Sequence, residues 1–235
     1  MHRFAAILTH NRPDLLRETW CAIGPQVDMV IVIDNASDPA VDPESLHGET
    51  WRTAVLHVPE QPPNLSRLWN LAIATALTLY ESRTTLERAE SDGGAPRLAV
   101  LCDDAPPPVG WFWAVGEAMD AHPGCVIGAS APQPFGWAGE PKVKGEPDAD
   151  LTRRMPGWAW VIDLRTQVRA DERFEWWWGD TDLDWAARFA GGMVMIGTHP
   201  VPNVRYHDFS NRPEQAAQIA ADSQRFVDKH GWRPW

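Results

Sequence analysis

The sequence predicts an α/β protein built on a mainly parallel central sheet with helices on both faces. Short apolar runs alternate along the chain with segments of helical periodicity, which is the pattern of a parallel α/β sheet. The run at 27–33 is nearly continuous and rich in β-branched residues, as expected of a strand that is covered on both faces. With 235 residues, the chain has the length of one large domain, so we expect a single domain over 1–235.

Strands are predicted where short apolar runs end in polar or turn-forming residues. The first run stops at 10–13, the second at 34–35 and the fourth at 103–104. These polar clusters cannot continue a buried strand, so they indicate where each strand ends. The predicted strands are 4–9, 27–33, 54–58, 98–102, 125–129, 158–162 and 194–196.

Helices are predicted from apolar residues that recur at helical spacing. Trp20 and Ile23 share one face of the first such segment, and Asn64 can cap the second through its side-chain oxygen. The predicted helices are 15–23, 64–80, 110–122, 180–190 and 214–230. Between them, 81–96 is predicted to be a surface loop. The segment 132–156, which contains five prolines, is predicted to be a long loop of the kind that is often functional.

Charge and cysteine content limit the classes of binding partner and the cellular compartments that fit the sequence. The chain has 21 Lys and Arg against 32 Asp and Glu, and its net charge of −11 repels nucleic acid and anionic membranes unless basic residues form a local patch. Its three cysteines are widely spaced, which argues against a disulfide framework and a cysteine zinc site. The N-terminal apolar run is too short for a signal peptide, and no apolar run approaches roughly 18 residues. We expect a cytoplasmic protein without a membrane span.

Polar clusters follow three of the predicted strands, at 9–12, 34–35 and 103–104. Because the carboxyl ends of parallel strands meet at one edge of a sheet, we expect these side chains to line one site. The adjacent carboxylates at 103–104 suit a hard divalent cation that bridges to phosphate oxygens, and a solvated acidic turn is the alternative. The phosphate-loop and G-x-G-x-x-G signatures are absent from the sequence, which removes the support for ordinary P-loop phosphoryl transfer and for dinucleotide hydride transfer.

A second acidic pair lies at the start of the predicted helix 180–190. On a helix, Asp180 and Asp182 point about 200° apart, so only one of them can face a given site. Asp180 lies at the junction with the preceding loop, where it is either a helix N-cap or a catalytic base. We favour Asp180 as the base, with Asp182 capping the helix or solvated.

Aromatic residues are concentrated just before this helix. Three consecutive tryptophans at 176–178 cannot all enter one core from an extended segment, because side chains alternate between its faces. Core packing explains most of them, and at least one is predicted to line a cleft where its ring could stack on a sugar.

Five segments in a fixed order resemble family 2 glycosyltransferases with the nucleotide-binding GT-A fold. The segments are 7–13, 30–37, 64–73, 101–104 and 178–183, followed by His207 and Ser210. The resemblance covers about residues 4–210. It implies a single Rossmann-like GT-A domain with a nucleotide-binding part at about 1–104, an acceptor-binding part at about 105–212 and a C-terminal helix at about 213–231.

The resemblance also implies roles for individual residues. Asp34 would contact the base or ribose of a nucleotide. Asp104, with Asp103, would bind the Mn²⁺ or Mg²⁺ that holds a donor diphosphate, and His207 would complete that coordination. Asp180 would be the catalytic base. The implied substrate-binding residues are Thr9, Asn11, Arg12, Asp34, Asn35, Asn64, Arg67, Asn70, Asp103, Trp158, Trp178 and Asp182.

Three residues depart from the family pattern. Cys102 occupies what looks like the first carboxylate position of the D-x-D motif, so a metal would have fewer protein ligands. Gly179 stands where the family usually has Glu, and His10 where it commonly has Tyr.

The sequence is therefore interpreted as a metal-dependent glycosyltransferase. It would move a sugar from a nucleotide-diphospho-sugar, most simply a UDP-sugar, to an acceptor hydroxyl with inversion, the acceptor being a glycan, a protein or modified DNA. The loop 132–156, with Trp137, is predicted to be a lid over the donor. The alternatives are a nucleotidyltransferase and a noncatalytic carbohydrate- or nucleotide-binding module.

Overall fold

The computed structural model describes residues 2–46, 51–59, 63–82, 94–131, 141–144, 154–204 and 213–231. The strands are β1 (Arg3–Thr9), β2 (Met29–Asn35), β3 (Arg52–Val58), β4 (Arg97–Cys102), β5 (Ile127–Ser130), β6 (Lys142–Lys144), β7 (Ala159–Asp163) and β8 (Met193–Ile196). The α-helices are α1 (Pro13–Ile23), α2 (Leu65–Glu81), α3 (Trp111–Ala121), α4 (Gly179–Ala190) and α5 (Pro213–His230).

The strands form one mostly parallel sheet in the order β3-β2-β1-β4-β7-β5-β8-β6. Strands β1 to β4 are mutually parallel, and β5 and β8 continue in the same direction. Only β7, between β4 and β5, and the short β6 at the edge run the opposite way among the strands described. The predicted α/β fold class is confirmed.

The observed elements follow the predicted ones closely, with one exception. Seven strands begin and end within two residues of their predicted positions. The eighth, β6, falls inside the predicted loop 132–156, so the prediction of an unbroken loop there was wrong. Its sequence of one valine between two lysines carries no strand pattern, and it pairs with β8 only because that edge is available.

Alternate residues of the central strands face two separate layers of helices. In β1, Phe4 and Leu8 pack in the layer that contains α2 and α4, whereas Ile7 packs in the layer that contains α1 and α3. All three side chains are buried. This period of two explains why the strands appear as nearly continuous apolar runs, since both of their faces are covered.

Helix α5 packs outside these two layers, on the segment that leads into α4. Its Phe226 is fully buried and forms a small third core with Phe174 and Trp178. Among the helices that the structure describes, α5 included, none combines the length and apolarity needed to cross a membrane.

A carboxylate in a buried ion pair of α4 also bonds to the chain that enters β7. Asp184 and Arg188 lie one turn apart, with side chains 0% and 1% exposed, and the Arg188 guanidinium donates to the Asp184 carboxylate. The other carboxylate oxygen of Asp184 accepts a hydrogen bond from the backbone N–H of Met155 at 2.8 Å. Removal of one member of such a pair leaves a buried charge without compensation, which is more costly than the pair itself is stabilising.

Asp184→Asn is therefore expected to lower the free energy of unfolding by about 3 kcal/mol or more. Urea unfolding followed by tryptophan fluorescence measures this loss. Arg165→Gln is the matched control, because Arg165 pairs with Asp163 while its own side chain is 65% exposed. Exposed pairs contribute about 0–1 kcal/mol, so equal losses in the two variants would contradict the account.

Candidate active site

The carboxyl ends of three neighbouring strands bring the predicted polar clusters together. Thr9 pairs in register with Asp34 of β2, and Leu8 pairs with Cys102 of β4. The Thr9 hydroxyl donates to a carboxylate oxygen of Asp103 at 2.9 Å, and the backbone N–H of Asp103 donates to the carbonyl of Leu8. The turn that follows β4 is therefore held directly above the end of β1.

One guanidinium lies against two carboxylates at this edge. Arg12 Nη1 is 3.3 Å from Asp103 Oδ1 and 3.4 Å from Asp104 Oδ2. Both aspartates are buried, at 4% and 6% exposed. Burial raises the pKa of Asp103, and the charge of Arg12 and the hydroxyl of Thr9 oppose that rise. Arg12 thus lies close enough to offset part of the charge of both carboxylates.

Cys102 precedes these carboxylates and does not substitute for one. Burial raises the pKa of its thiol well above the ordinary value, and the charges of Asp104, Asp103 and Asp180 raise it further. Because the thiolate is the form that binds metals, a protonated Cys102 is a poor ligand. The described residues contain no group of three or more His, Cys, Asp or Glu side chains arranged around a common metal position.

The donor atoms at this turn nevertheless fit a divalent cation that arrives with a diphosphate. Mg²⁺ and similar hard ions take oxygen ligands, commonly one or two carboxylates together with phosphate oxygens and water. Asp103 and Asp104 supply two such carboxylates on consecutive residues. The predicted third ligand, His207, lies outside the described residues, as do Ser210 and Trp137.

Asp34 is a buried anchor for the loop that follows β2. At 1% exposed, its carboxylate accepts backbone N–H bonds from Ser37 at 3.1 Å and Val41 at 2.9 Å. His57 Nδ1 lies 3.0 Å from the same carboxylate. Burial would raise the pKa of Asp34, but the hydrogen bonds from Ser37, Val41 and His57 outweigh it and hold the pKa below its ordinary value. Its described side-chain bonds are therefore to its own loop and to His57 of β3.

A cavity of about 330 Å³ lies between this loop and the first turn of α1. Asn11 bridges its two walls: its backbone N–H donates to Ser37 Oγ at 2.9 Å, and its side-chain oxygen accepts from Asp38 N at 2.6 Å. Thr9 and Arg12 line the cavity, which places it beside the two buried carboxylates. Its volume is at the lower end of the range for small-molecule sites, which runs from roughly 300 to 1,000 Å³.

Asp180 lies in the first turn of α4, half-buried and close to the same edge. The N-cap position belongs to Trp178, at a φ of 67° and without a side-chain cap bond, so Asp180 is not the cap. A Cβ on Gly157 would lie 3.0 Å from Asp180 Oδ2, so Gly157 packs closely against the Asp180 carboxylate. Trp158 follows Gly157 in the chain, and its carbonyl oxygen accepts a hydrogen bond from the backbone N–H of Cys102 at 2.9 Å. This bond links the surroundings of Asp180 to the turn that carries Asp103 and Asp104.

Asp182 points away from Asp180, as their spacing predicts, but the prediction that it caps the helix or is solvated was wrong. It is 2% exposed, and Lys229 Nζ and His230 Nε2 lie 2.7 and 2.8 Å from its Oδ1. The described contacts of Asp182 are thus with α5. At Gly179, a Cβ would lie 2.6 Å from Ser66 Oγ and 3.3 Å from the Trp69 ring, so the family's usual Glu has no room at this position.

The amides of α2 hold a neighbouring loop. Asn64 caps the helix as predicted by accepting from Arg67 N at 2.9 Å, and its NH₂ group donates to the carbonyl of Glu172. Asn70 exchanges hydrogen bonds with the backbone of Ala170 and also donates to the Glu172 side chain. These bonds position the 170–172 segment, and substrate contacts by Asn64, Arg67 and Asn70 remain predictions.

Two other predicted residues, Asn35 and Trp158, lie at the edge. Asn35 is buried at the end of β2, and its carbonyl oxygen lies 2.7 Å from His10 Nδ1. Trp158 is half-buried, and its indole N–H donates to the carbonyl of Val201 at 3.1 Å. Gly157, which packs closely against Asp180, was not predicted from the sequence, because an isolated glycine in a loop carries no motif.

Comparisons with known proteins show the fold of the chain. No family model and no curated protein matches the sequence. The structure of S. aureus TarS 1-349 matches with a TM-score of 0.56 at 12% identity, covering 86% of this chain and 59% of that chain, and TarS 1-349 has also been solved in complex with UDP. The Pyrobaculum calidifontis mannosyltransferase PcManGT, in complex with GDP-Man and Mn²⁺, matches with a TM-score of 0.57 at 12% identity, covering 88% and 58%. This chain has their fold. It spans about three fifths of the length of those proteins.

The anchoring role of Asp34 predicts a stability difference that depends on pH. Asp34→Asn is expected to cost about 1.5–3 kcal/mol at pH 7, the range for hydrogen bonds to a charged group. Because folding lowers the pKa of Asp34, this stabilisation is complete above the ordinary carboxyl value of 3.8 and is lost as the pH falls below it. Urea unfolding of both proteins at several pH values measures the difference.

Asp38→Asn, an exposed change in the same loop, serves as the control for this series. A difference between wild type and Asp34→Asn that stays constant from neutral pH down to well below 3.8 would show that the Asp34 charge is not involved.

Proposed function

We propose that the protein is a glycosyltransferase that moves a sugar from a nucleotide-diphospho-sugar to the hydroxyl of an acceptor. The observation that carries this proposal is the meeting of a cavity, two buried carboxylates and the half-buried Asp180 at one edge of the sheet. The proposal also draws on the fold, which TarS and PcManGT share and in which they bind UDP and GDP-Man.

The cavity beside Asn11 is the proposed site of the nucleotide. Its walls are the first turn of α1 and the loop that Asp34 orders, and they enclose about 330 Å³. Arg12 lies between the cavity and the carboxylates. A diphosphate at this point would offer Arg12 a second anionic partner. We infer that the donor is a UDP-sugar or a closely similar nucleotide sugar.

Asp104 and Asp103 are the proposed ligands of Mn²⁺ or Mg²⁺, with His207 as a third. When bound, the cation would neutralise the charge that develops on the leaving diphosphate. The carboxylates are suited to this role because they supply oxygen ligands on two consecutive buried residues. The protein itself is strongly acidic, and a bridging cation would offset the repulsion of an anionic donor.

Asp180 is the proposed general base. Its carboxylate is half-buried at the start of α4, where an acceptor hydroxyl can reach it, whereas Asp182 is enclosed by α5. Asp180 would take the proton of that hydroxyl as the oxygen attacks the anomeric carbon from the face opposite the diphosphate, which gives inversion. The half-buried Trp158 and Trp176 lie on segments that flank Asp180 and are the proposed stacking partners of a sugar acceptor. Trp178, also predicted to bind substrate, is 7% exposed and packs against Phe226 of α5.

Two variants separate donor binding from transfer. Asp180→Asn is expected to retain donor binding in a thermal-shift or calorimetric titration and to lose about 10²–10⁴-fold in transfer, measured as release of nucleoside diphosphate with acceptor present. Asp104→Ala is expected to abolish the Mn²⁺-dependent part of the donor-induced thermal shift. Glu117→Gln, an exposed carboxylate on α3, is the control and should change neither.

Several results would contradict the proposal. Release of pyrophosphate from a nucleoside triphosphate would identify a nucleotidyltransferase. Metal-dependent nucleotide binding without turnover across many donors and acceptors would identify a binding module. Normal transfer by Asp180→Asn would remove Asp180 as the base while leaving the donor site in place.

A further inference from the structure

The fully buried carboxylate of Asp222, on α5, holds the backbone of residues 175–177, which lead into α4. Asp222 is 0% exposed, and its carboxylate accepts hydrogen bonds from three consecutive backbone N–H groups, those of Glu175 at 3.3 Å, Trp176 at 2.9 Å and Trp177 at 2.9 Å. Arg225 Nη1 donates to the same carboxylate at 2.6 Å. This segment lies outside the helices and strands, so Asp222 supplies the acceptors that regular structure would otherwise provide.

The residue after this segment begins α4 in a strained conformation. Trp178 has a φ of 67°, which is unusual for a residue with a side chain, and such a conformation persists only where its surroundings enforce it. Helix α5 makes two further contacts that do so. Ser223 Oγ accepts the indole N–H of Trp178 at 2.9 Å, and the Phe226 ring centroid lies 5.4 Å from that of Trp178.

Asp180 follows this turn by two residues. Its place against Gly157 depends on where α4 begins and on the direction in which its first turn points. Part of the constraint on that first turn comes from one stretch of α5, at residues 222, 223 and 226. Arg154 also contacts this turn, since its guanidinium lies over the Trp178 ring and donates to Thr181 Oγ1 at 3.2 Å. Asp222 is far from Asp180 in sequence. It is coupled to Asp180 through the backbone N–H groups of residues 175–177 and the strained turn at Trp178.

We propose that Asp222 is a positioning residue for the general base. By fixing the backbone of 175–177, it sets the turn at Trp178 and so the direction of the Asp180 carboxylate. This inference rests on the proposed function, in which Asp180 takes the acceptor proton. A residue with a purely structural role would stabilise the fold without any specific link to Asp180.

Asp222→Asn tests the inference with little change in shape. The amide presents an NH₂ group to backbone N–H donors, so at least one of the three bonds is lost. Transfer is measured well below the unfolding temperature of each variant, with the active concentration taken from the stoichiometry of donor binding. We expect kcat to fall by about 10–100-fold, the effect of a displacement of about 1 Å, with donor Kd unchanged. Asp228→Asn, an exposed change on the same helix, should match wild type.

The decisive readout is the double variant Asp180→Asn with Asp222→Asn. If Asp222 acts through Asp180, its substitution causes no further loss once Asp180 has been replaced. If its role is only structural, the two losses multiply, and that result overturns the inference. Arg225→Gln provides a milder test should Asp222→Asn fail to fold, because it removes the bond from Arg225 to Asp222 while leaving the carboxylate in place. Its smaller loss should likewise vanish in the Asp180→Asn background.

Failure of this inference is distinguishable from failure of the proposed function. A wild-type protein that transfers no sugar overturns the proposed function and the inference with it. A wild-type protein that transfers sugar while Asp222→Asn equals Asp228→Asn in kcat overturns only the positioning role of Asp222.

Discussion

Two buried carboxylates that share one guanidinium are the constraint on which the site depends. Asp103 and Asp104 are each more than nine-tenths buried, and Arg12 is the cation that lies against both. Removing a carboxylate from water is costly unless a positive partner replaces the lost solvation. The turn after β4 places both carboxylates beside Arg12, and the bonds from Thr9 and the backbone of β1 keep it in place at the sheet edge.

The site is assembled from two halves that are held in different ways. On the side of the cavity, the loop after β2 is ordered by the buried Asp34 and by Asn11, so the cavity wall is fixed by local hydrogen bonds. On the side of Asp180, the turn into α4 is fixed by the distant helix α5 through Asp222. The first arrangement joins residues close to β1 and β2. The second joins the middle of the chain to its C-terminal helix.

The sheet and its site edge were predictable because burial on both faces leaves a strong pattern. The nearly continuous apolar run at 27–33 and the polar residues that end it, Asp34 and Asn35, indicated a strand and the edge at which it ends. The same reasoning could not find β6, because the short Lys142–Lys144 strand depends on β8 for pairing and not on its own sequence. Local capping by Asn64 was also predictable, since the helix and its cap are adjacent in sequence.

Side-chain partners at long range were beyond sequence reasoning. The periodicity of α4 separates Asp180 from Asp182, but it does not reveal that Asp182 meets Lys229 and His230. Likewise, Asp34 was expected to face a ligand, and its bonds to Ser37 and Val41 depend on how the following loop folds back. Such partners are set by tertiary packing, which the spacing of residues along one element does not encode.

The most direct test of this account is a crystal structure of the protein with Mn²⁺ and a non-transferable analogue of a UDP-sugar. The account predicts that the nucleotide base lies in the cavity between the first turn of α1 and the loop 37–46. It also predicts that the metal ion binds Asp104 and that the anomeric carbon lies on the side that faces Asp180. An analogue bound at another surface, or one whose diphosphate lies remote from Asp103 and Asp104, would contradict it.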